Sequence, residues 1–199
     1  MSFWDNIACF YDAAQWFNRK VYSTMLTGVR TLVPFGAEVL DCAAGTGQLT
    51  LAAAEKASHV MCTDLSLSML EQARKKCRKN NINNVSFGER DITALSDADE
   101  SYDVVMAGNV LHLLDDPQKA ISELYRVTRK GGRLILPTFL TFGKAPVLIG
   151  LYKFVGLRLS TSYTPESYFE MLKSCGLGRV KMKIIRGKLP CGFAVIEKR

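Results

Sequence analysis

From about Glu38 the chain alternates short apolar runs with stretches whose apolar residues recur at helical spacing. Val39-Leu40 ends at Asp41 and a Gly-rich turn, and Leu49 to Lys56 follows as an Ala-rich helix. His59 to Thr63 is a second strand. Ser66 or Ser68 can cap the next helix, which places Met69, Leu70 and Ala73 on one face and runs to the Asn80-Asn81 break. Val85 to Phe87 is a short third strand. Tyr102 to Ala107 is an apolar run that reads as a strand buried on both faces. Asp116-Pro117 supplies an N-cap and a first-turn proline. The helix it opens carries Ala120, Ile121, Leu124 and Val127 on one face and is predicted to stop at Lys130-Gly131-Gly132. Arg133 to Leu136 is the fifth strand.

This alternation predicts an α/β fold with a parallel sheet and right-handed crossovers. The tail differs. Thr164-Pro165-Glu166 opens a helix that ends at Cys175-Gly176. The runs Val180 to Ile185 and Phe193 to Glu197, separated by Gly187-Lys188-Leu189-Pro190, read as a hairpin added to the sheet edge. The front is aromatic and helical. With no repeat and no linker, one domain is expected, with a helical cap over 1–35, a core over 36–137 and a tail over 138–199.

Charge divides these regions. The 199 residues carry a formal +7, yet residues 101–199 hold 16 basic and 7 acidic groups while residues 1–100 hold 10 and 12. An anionic partner near the C-terminal end would fit that asymmetry. Six cysteines without a C-x-x-C pair, and only two histidines, argue against a structural zinc site, and no metal is expected. Cysteines inside VLDCA and VMCTD read as small core residues and point to a reducing, cytoplasmic setting. The start has no basic segment followed by an apolar run, and the longest apolar stretch, Ala145 to Tyr152, is too short to span a bilayer.

The stretch Asp41-Cys42-Ala43-Ala44-Gly45-Thr46-Gly47-Gln48 lies between a predicted strand and a predicted helix. In an open parallel sheet that is where ligands bind. Glycine lets backbone N–H groups approach a ligand, and a helix start favours a negative group. Asp64 ends the next strand 23 residues after Asp41, where a carboxylate can accept from both hydroxyls of a ribose. Asp91 follows the third strand. A dinucleotide loop needs a third glycine where this chain has Thr50, and a P-loop needs a Gly-Lys-Ser/Thr that is absent.

With these motifs the chain resembles the class I S-adenosylmethionine-dependent methyltransferases, and within them the ubiquinone/menaquinone-biosynthesis C-methyltransferase branch. The likeness runs from Phe3-Trp4-Asp5 and Tyr11-Asp12 through Asp41-x-Ala43-x-Gly45-Thr46-Gly47, Asp64-Leu65-Ser66 and Asp91-Ile92. It continues through Tyr102-Asp103-Val104-Val105, Val110-Leu111-His112-Leu113 and Leu124-x-Arg126-Val127-x-Arg129-Lys130-Gly131-Gly132. It implies a Rossmann-like, seven-stranded, mostly parallel sheet with an antiparallel last strand and helices on both faces. It also implies S-adenosylmethionine as cofactor and S-adenosylhomocysteine as product. Ala43, Gly45 and Gly47 would receive the methionine end, with Asp41 ordering the loop and the ammonium group. Asp64, within the Asp64-Leu65-Ser66 motif, would hold the ribose. Leu65 and Met69 would pack on the adenine, and Asp91 with the Ile92 backbone would read its edge. Asn109 would line the methionine end and Tyr11 would close over the site. Ala43 stands where the wider superfamily has its first loop glycine.

Methyl transfer from a sulfonium is a displacement in which alignment supplies most of the acceleration. A base is needed only if the acceptor must lose a proton. His112 and Tyr11 are the candidates for catalytic work, and packing for His112 or lid closure for Tyr11 are the plainer readings. The acceptor is expected to be a small molecule of apolar or lipid-like character: a quinol precursor, phenol, thiol or amine. Phe139 to Leu159 would form its pocket wall, or an interfacial patch that reaches the inner face of a membrane. Lys173, Arg179, Lys181, Lys183, Arg186 and Lys188 could mark a phosphate footprint, but alternation with Val180, Met182 and Ile184 fits a solvated sheet edge. Gly108-Asn109-Val110-Leu111 replaces the N-P-P-Y type motif of nucleic-acid methyltransferases and argues against such a partner. The competing class is an inactive module of this fold that binds the cofactor and acts in assembly.

Overall fold

Val39, Leu40, Val60, Cys62, Val104, Val105, Leu134 and Ile135 have no solvent exposure, as expected of strands covered on both faces. The computed structural model that shows this describes residues 18–141 and 161–199. Its elements are α1 (Arg19–Leu32), β1 (Glu38–Cys42), α2 (Gln48–Ala54), β2 (His59–Asp64), α3 (Leu67–Lys79), β3 (Val85–Glu89), β4 (Tyr102–Met106), a 3-10 turn (Leu111–Leu113), α4 (Pro117–Val127), β5 (Thr128–Phe139), α5 (Pro165–Ser174), β6 (Val180–Ile185) and β7 (Cys191–Glu197).

The sheet has seven strands in the order β3-β2-β1-β4-β5-β7-β6. The pairs among β1 to β5 are parallel, and β7 runs antiparallel between β5 and β6. The expected Rossmann-like architecture is therefore present. Ile121, Leu124 and Val127 of α4 and Tyr168 and Leu172 of α5 pack on one face, and Val21, Met25 and Val29 of α1 with the alanines of α2 pack on the other. Complete burial of Ile121 and Leu124 contributes about 1.5–3 kcal/mol each.

The helix starts agree with the sequence. Ser66 caps α3 by accepting from Met69 N, Asp116 caps α4 through Lys119 N, and Thr164 with Ser167 forms a reciprocal capping box at α5. The end of α4 does not. It stops at Val127, and Lys130-Gly131-Gly132 lies within β5. Thr128 turns extended, its hydroxyl donates to Leu124 O, and the pairing with β4 slips between Tyr102 and Val104. A Cβ on Gly132 would stand 2.7 Å from Asp103 O, so the residue that resembled a helix stop is required by a bulge.

β6 is the sheet edge, with Lys181 and Lys183 exposed and Val180 and Met182 packed inward as expected, but the alternation breaks at Ile184, which is exposed while Ile185 is buried. Cys42, Cys62, Cys77 and Cys191 are buried free thiols. Among the described residues no helix is long and apolar enough to cross a membrane, and no three His, Cys, Asp or Glu side chains could hold a metal.

Candidate functional site

The chain leaves β1 to build β2 and β3 on one side, then returns to place β4 on the other, so β1 and β4 flank a topological switch point. Ligands bind at the carboxyl ends of strands at such a point. Two hollows occupy that place. The larger, about 180 Å³, is lined by residues that include Ala43, Gly45, Asp64, Leu65, Met69, Arg90, Ile92 and Asn109. The smaller, about 40 Å³, includes Tyr22, Met25, Asp41, Gln48 and Leu49. Ala43, Gly45, Gly108 and Asn109 line both, which makes them two lobes of one cleft.

The loop after β1 is fixed from three directions. Ala44 N donates to Thr63 O at 2.9 Å, Gly45 N to Asp64 Oδ2 at 2.8 Å, and Lys76 Nζ to Thr46 Oγ1 at 2.8 Å. Asp64 Oδ1 also accepts from Ser66 N at 2.9 Å, so one carboxylate ties the two loops that border the larger lobe. Ala43 and Asn109 leave their strands with φ of 52° and 56°, a left-handed conformation that alanine adopts at a cost.

Asp41 has no solvent exposure. Thr50 Oγ1 donates to its Oδ2 at 2.6 Å, and Oδ1 has no hydrogen-bond partner among the described residues. Burial drives its pKa up to about 7, against the Thr50 hydrogen bond that lowers it. Asn109 Oδ1 is likewise buried without a partner. Among the described residues neither oxygen has a partner, and both lie in the wall of the smaller hollow, where a donor-rich group would satisfy them.

The sequence-derived residues sort by position. Ala43, Gly45, Asp64, Leu65, Met69, Ile92 and Asn109 line the larger lobe and Asp41 the smaller. Leu65 is 60% exposed at the rim. Gly47, Ser66 and Asp91 line neither. Gly47 lets α2 pass close to Ala73, Ser66 caps α3, and Asp91 Oδ1 accepts from the Thr93 backbone and hydroxyl. His112 is buried outside both lobes, its ring 6.5 Å from that of Phe139, and burial pushes its pKa down to about 4. Tyr11 and most of the Phe139–Leu159 segment lie outside the described residues.

Sequence reading missed Tyr22 and Met25, which α1 brings to the smaller lobe, and Arg90 in the larger. Nothing in the spacing of α1 marks which of its apolar residues meets a distant loop. Arg90 had a signal, its place next to Asp91 in Gly88-Glu89-Arg90-Asp91.

Residues 39–132 match the methyltransferase domain family. The chain is 37% identical over 123 residues to the ubiquinone/menaquinone biosynthesis C-methyltransferase of Bdellovibrio bacteriovorus, covering 60% of this chain and 51% of that one. It is 27% identical over 216 residues to the demethylmenaquinone methyltransferase of Bacteroides fragilis, covering 98% of this chain and 84% of that one. The chain spans about half the length of the curated relatives it matches at 36–37% identity. A SAM-dependent methyltransferase of Thermotoga maritima superposes with a TM-score of 0.78 at 19% identity over 99% of this chain and 98% of that one. At that identity the superposition speaks for the fold alone.

Proposed function

We infer from this class I S-adenosylmethionine-dependent methyltransferase domain, which resembles the ubiquinone/menaquinone C-methyltransferase branch, that the chain transfers a methyl group to a small-molecule acceptor. The observation that carries the reading is the cleft at the switch point, with Asp64 at one lobe and the orphaned Asp41 and Asn109 oxygens at the other. S-adenosylmethionine, when bound, would supply a sulfonium-activated methyl group, the acceptor bonding to its carbon as S-adenosylhomocysteine leaves as the thioether.

The residues present fit that molecule. A buried carboxylate and a buried amide oxygen without partners suit an ammonium group, which would hold Asp41 in its charged form. Asp64 accepts from ribose hydroxyls while its backbone-bound geometry keeps it oriented. Leu65, Met69 and Ile92 cover an apolar ring, with Asp91 at its edge and Gly47 and Ser66 holding the loops behind. Tyr22 and Met25 close the smaller lobe against water. Catalysis on this reading rests on alignment and water exclusion. His112 is buried against Phe139 and burial pushes its pKa down to about 4, so packing is the role this reading gives it. The lid role for Tyr11 and the acceptor-wall role for the Phe139–Leu159 run rest on sequence alone, since Tyr11 and residues 142–159 lie outside the described residues. An inactive module that binds the cofactor would keep the same acceptors, so turnover is the observation that separates the two.

The test is release of S-adenosylhomocysteine across quinol precursors, phenols, thiols, amines and phospholipids, beside calorimetry with S-adenosylmethionine. Binding with turnover of at least one class supports the reading. Tight binding with turnover of none returns the inactive module, and no binding removes the cofactor assignment.

A further inference from the structure

Arg90 and Asp64 line the same lobe, and the register that pairs Asp64 with Glu89 places Arg90 one residue beyond the facing strand position. A long cation beside a carboxylate that must receive a ribose is a liability, because their mutual attraction strengthens in a partly desolvated cleft. In this structure the guanidinium is held elsewhere. Arg90 Nη1 donates to Asp97 Oδ2, and Tyr102 OH donates to the other oxygen, Asp97 Oδ1, at 2.5 Å. The Asp97 side chain is only 8% exposed, and Arg126 donates to its backbone carbonyl at 2.8 Å, which fixes the loop that carries it.

We propose that Asp97, braced by Tyr102 and Arg126, is a positioning residue that restrains Arg90 away from Asp64 and so keeps the larger lobe open to a nucleoside. The proposal rests on the cofactor reading. It assigns Asp97 an indirect effect on the ribose and adenine end and none on the methionine end. Losing the Asp97 charge frees Arg90 to pair with Asp64, and the nucleoside must then displace that pair.

The experiment measures Kd for S-adenosylhomocysteine and for 5′-methylthioadenosine, which lacks the amino-acid end, with thermal melting as a folding control. Asp97→Asn is expected to weaken both ligands by about tenfold, and adding Arg90→Met to it to recover at least about fivefold of that loss. A merely structural role for Asp97 predicts the opposite, a double variant that binds no better than Asp97→Asn. That result, or an Asp97→Asn protein that binds both ligands like the wild type, would overturn the proposal. A wild-type protein that binds neither ligand would instead overturn the cofactor reading beneath it.

Discussion

Thr50 donates a 2.6 Å hydrogen bond to Asp41 from the first turn of α2, and both side chains are without solvent exposure. The residue that stands in place of the third glycine of a dinucleotide loop is thus the hydrogen-bond partner of the acid near the end of β1. This pair joins the end of β1 to the helix behind the loop, and it sets the proton affinity of the cleft wall.

One contribution to the pH dependence of stability comes from Asp41. With Asp41 raised to about 7 when folded and near 3.8 when unfolded, the native state holds the extra proton between those values. Stability therefore falls as pH rises from about 4 to 7, by about 1 kcal/mol per unit from this group. Urea unfolding of wild type and Asp41→Asn across pH 5 to 8 should give slopes below pH 7 that differ by this amount, because every other group contributes equally to both. Equal slopes would refute it.

Gly47→Ala is expected to destabilise the fold by about 2–4 kcal/mol, combining left-handed strain with overpacking. Gly47 has φ of 79°, and its added Cβ would meet Ala73 Cβ at 2.8 Å. Thermal unfolding measures the loss. An accompanying Ala73→Gly should recover the steric part and leave the conformational part.

Ala43→Gly should act in the other direction. At φ 52° alanine carries strain that glycine lacks, partly offset by the greater freedom of glycine when unfolded. A net gain of about 0.5–1 kcal/mol is expected, read as a higher midpoint in denaturant.

His112 is expected to stay neutral well into the acid range, its folded pKa of about 4 lying below the ordinary histidine value of 6.5. The unfolded chain takes that proton first, so this group removes stability as pH falls from about 6.5 to 4. Only two histidines need assigning in an NMR titration. A His112 ring resonance that moves at pH 6 would contradict the burial argument.

Asp64→Ala should weaken S-adenosylmethionine binding by about 1–3 kcal/mol, through lost hydrogen bonds to a charged group. Calorimetry reads the change. Because Asp64 also accepts from Gly45 N and Ser66 N, the melting temperature of the variant should fall as well.

Much of this fold could be read from the chain because its signals are local. Ser66, Asp116-Pro117 and Thr164 each sit beside the helix they start, and burial on both faces marks β4 by its run of apolar residues. Lys130-Gly131-Gly132 misled because a helix stop and a bulge ask for the same residue, and only the nearby Asp103 carbonyl distinguishes them. In the site, residues at strand ends fell where the topology put them. Tyr22 of α1 stayed hidden because its neighbours come from far along the chain, and Ser66 and Asp91, which line neither lobe, each accept from a nearby backbone N–H.

Every described residue that lines the cleft comes at or before Leu114, while β5 meets it only from beneath, where Asn109 N donates to Pro137 O at 2.8 Å. Among the described residues the cleft and the elements after Leu114 are therefore built from separate stretches of chain. On the proposed reading, changes in the elements after Leu114 leave the residues that line the donor cleft untouched.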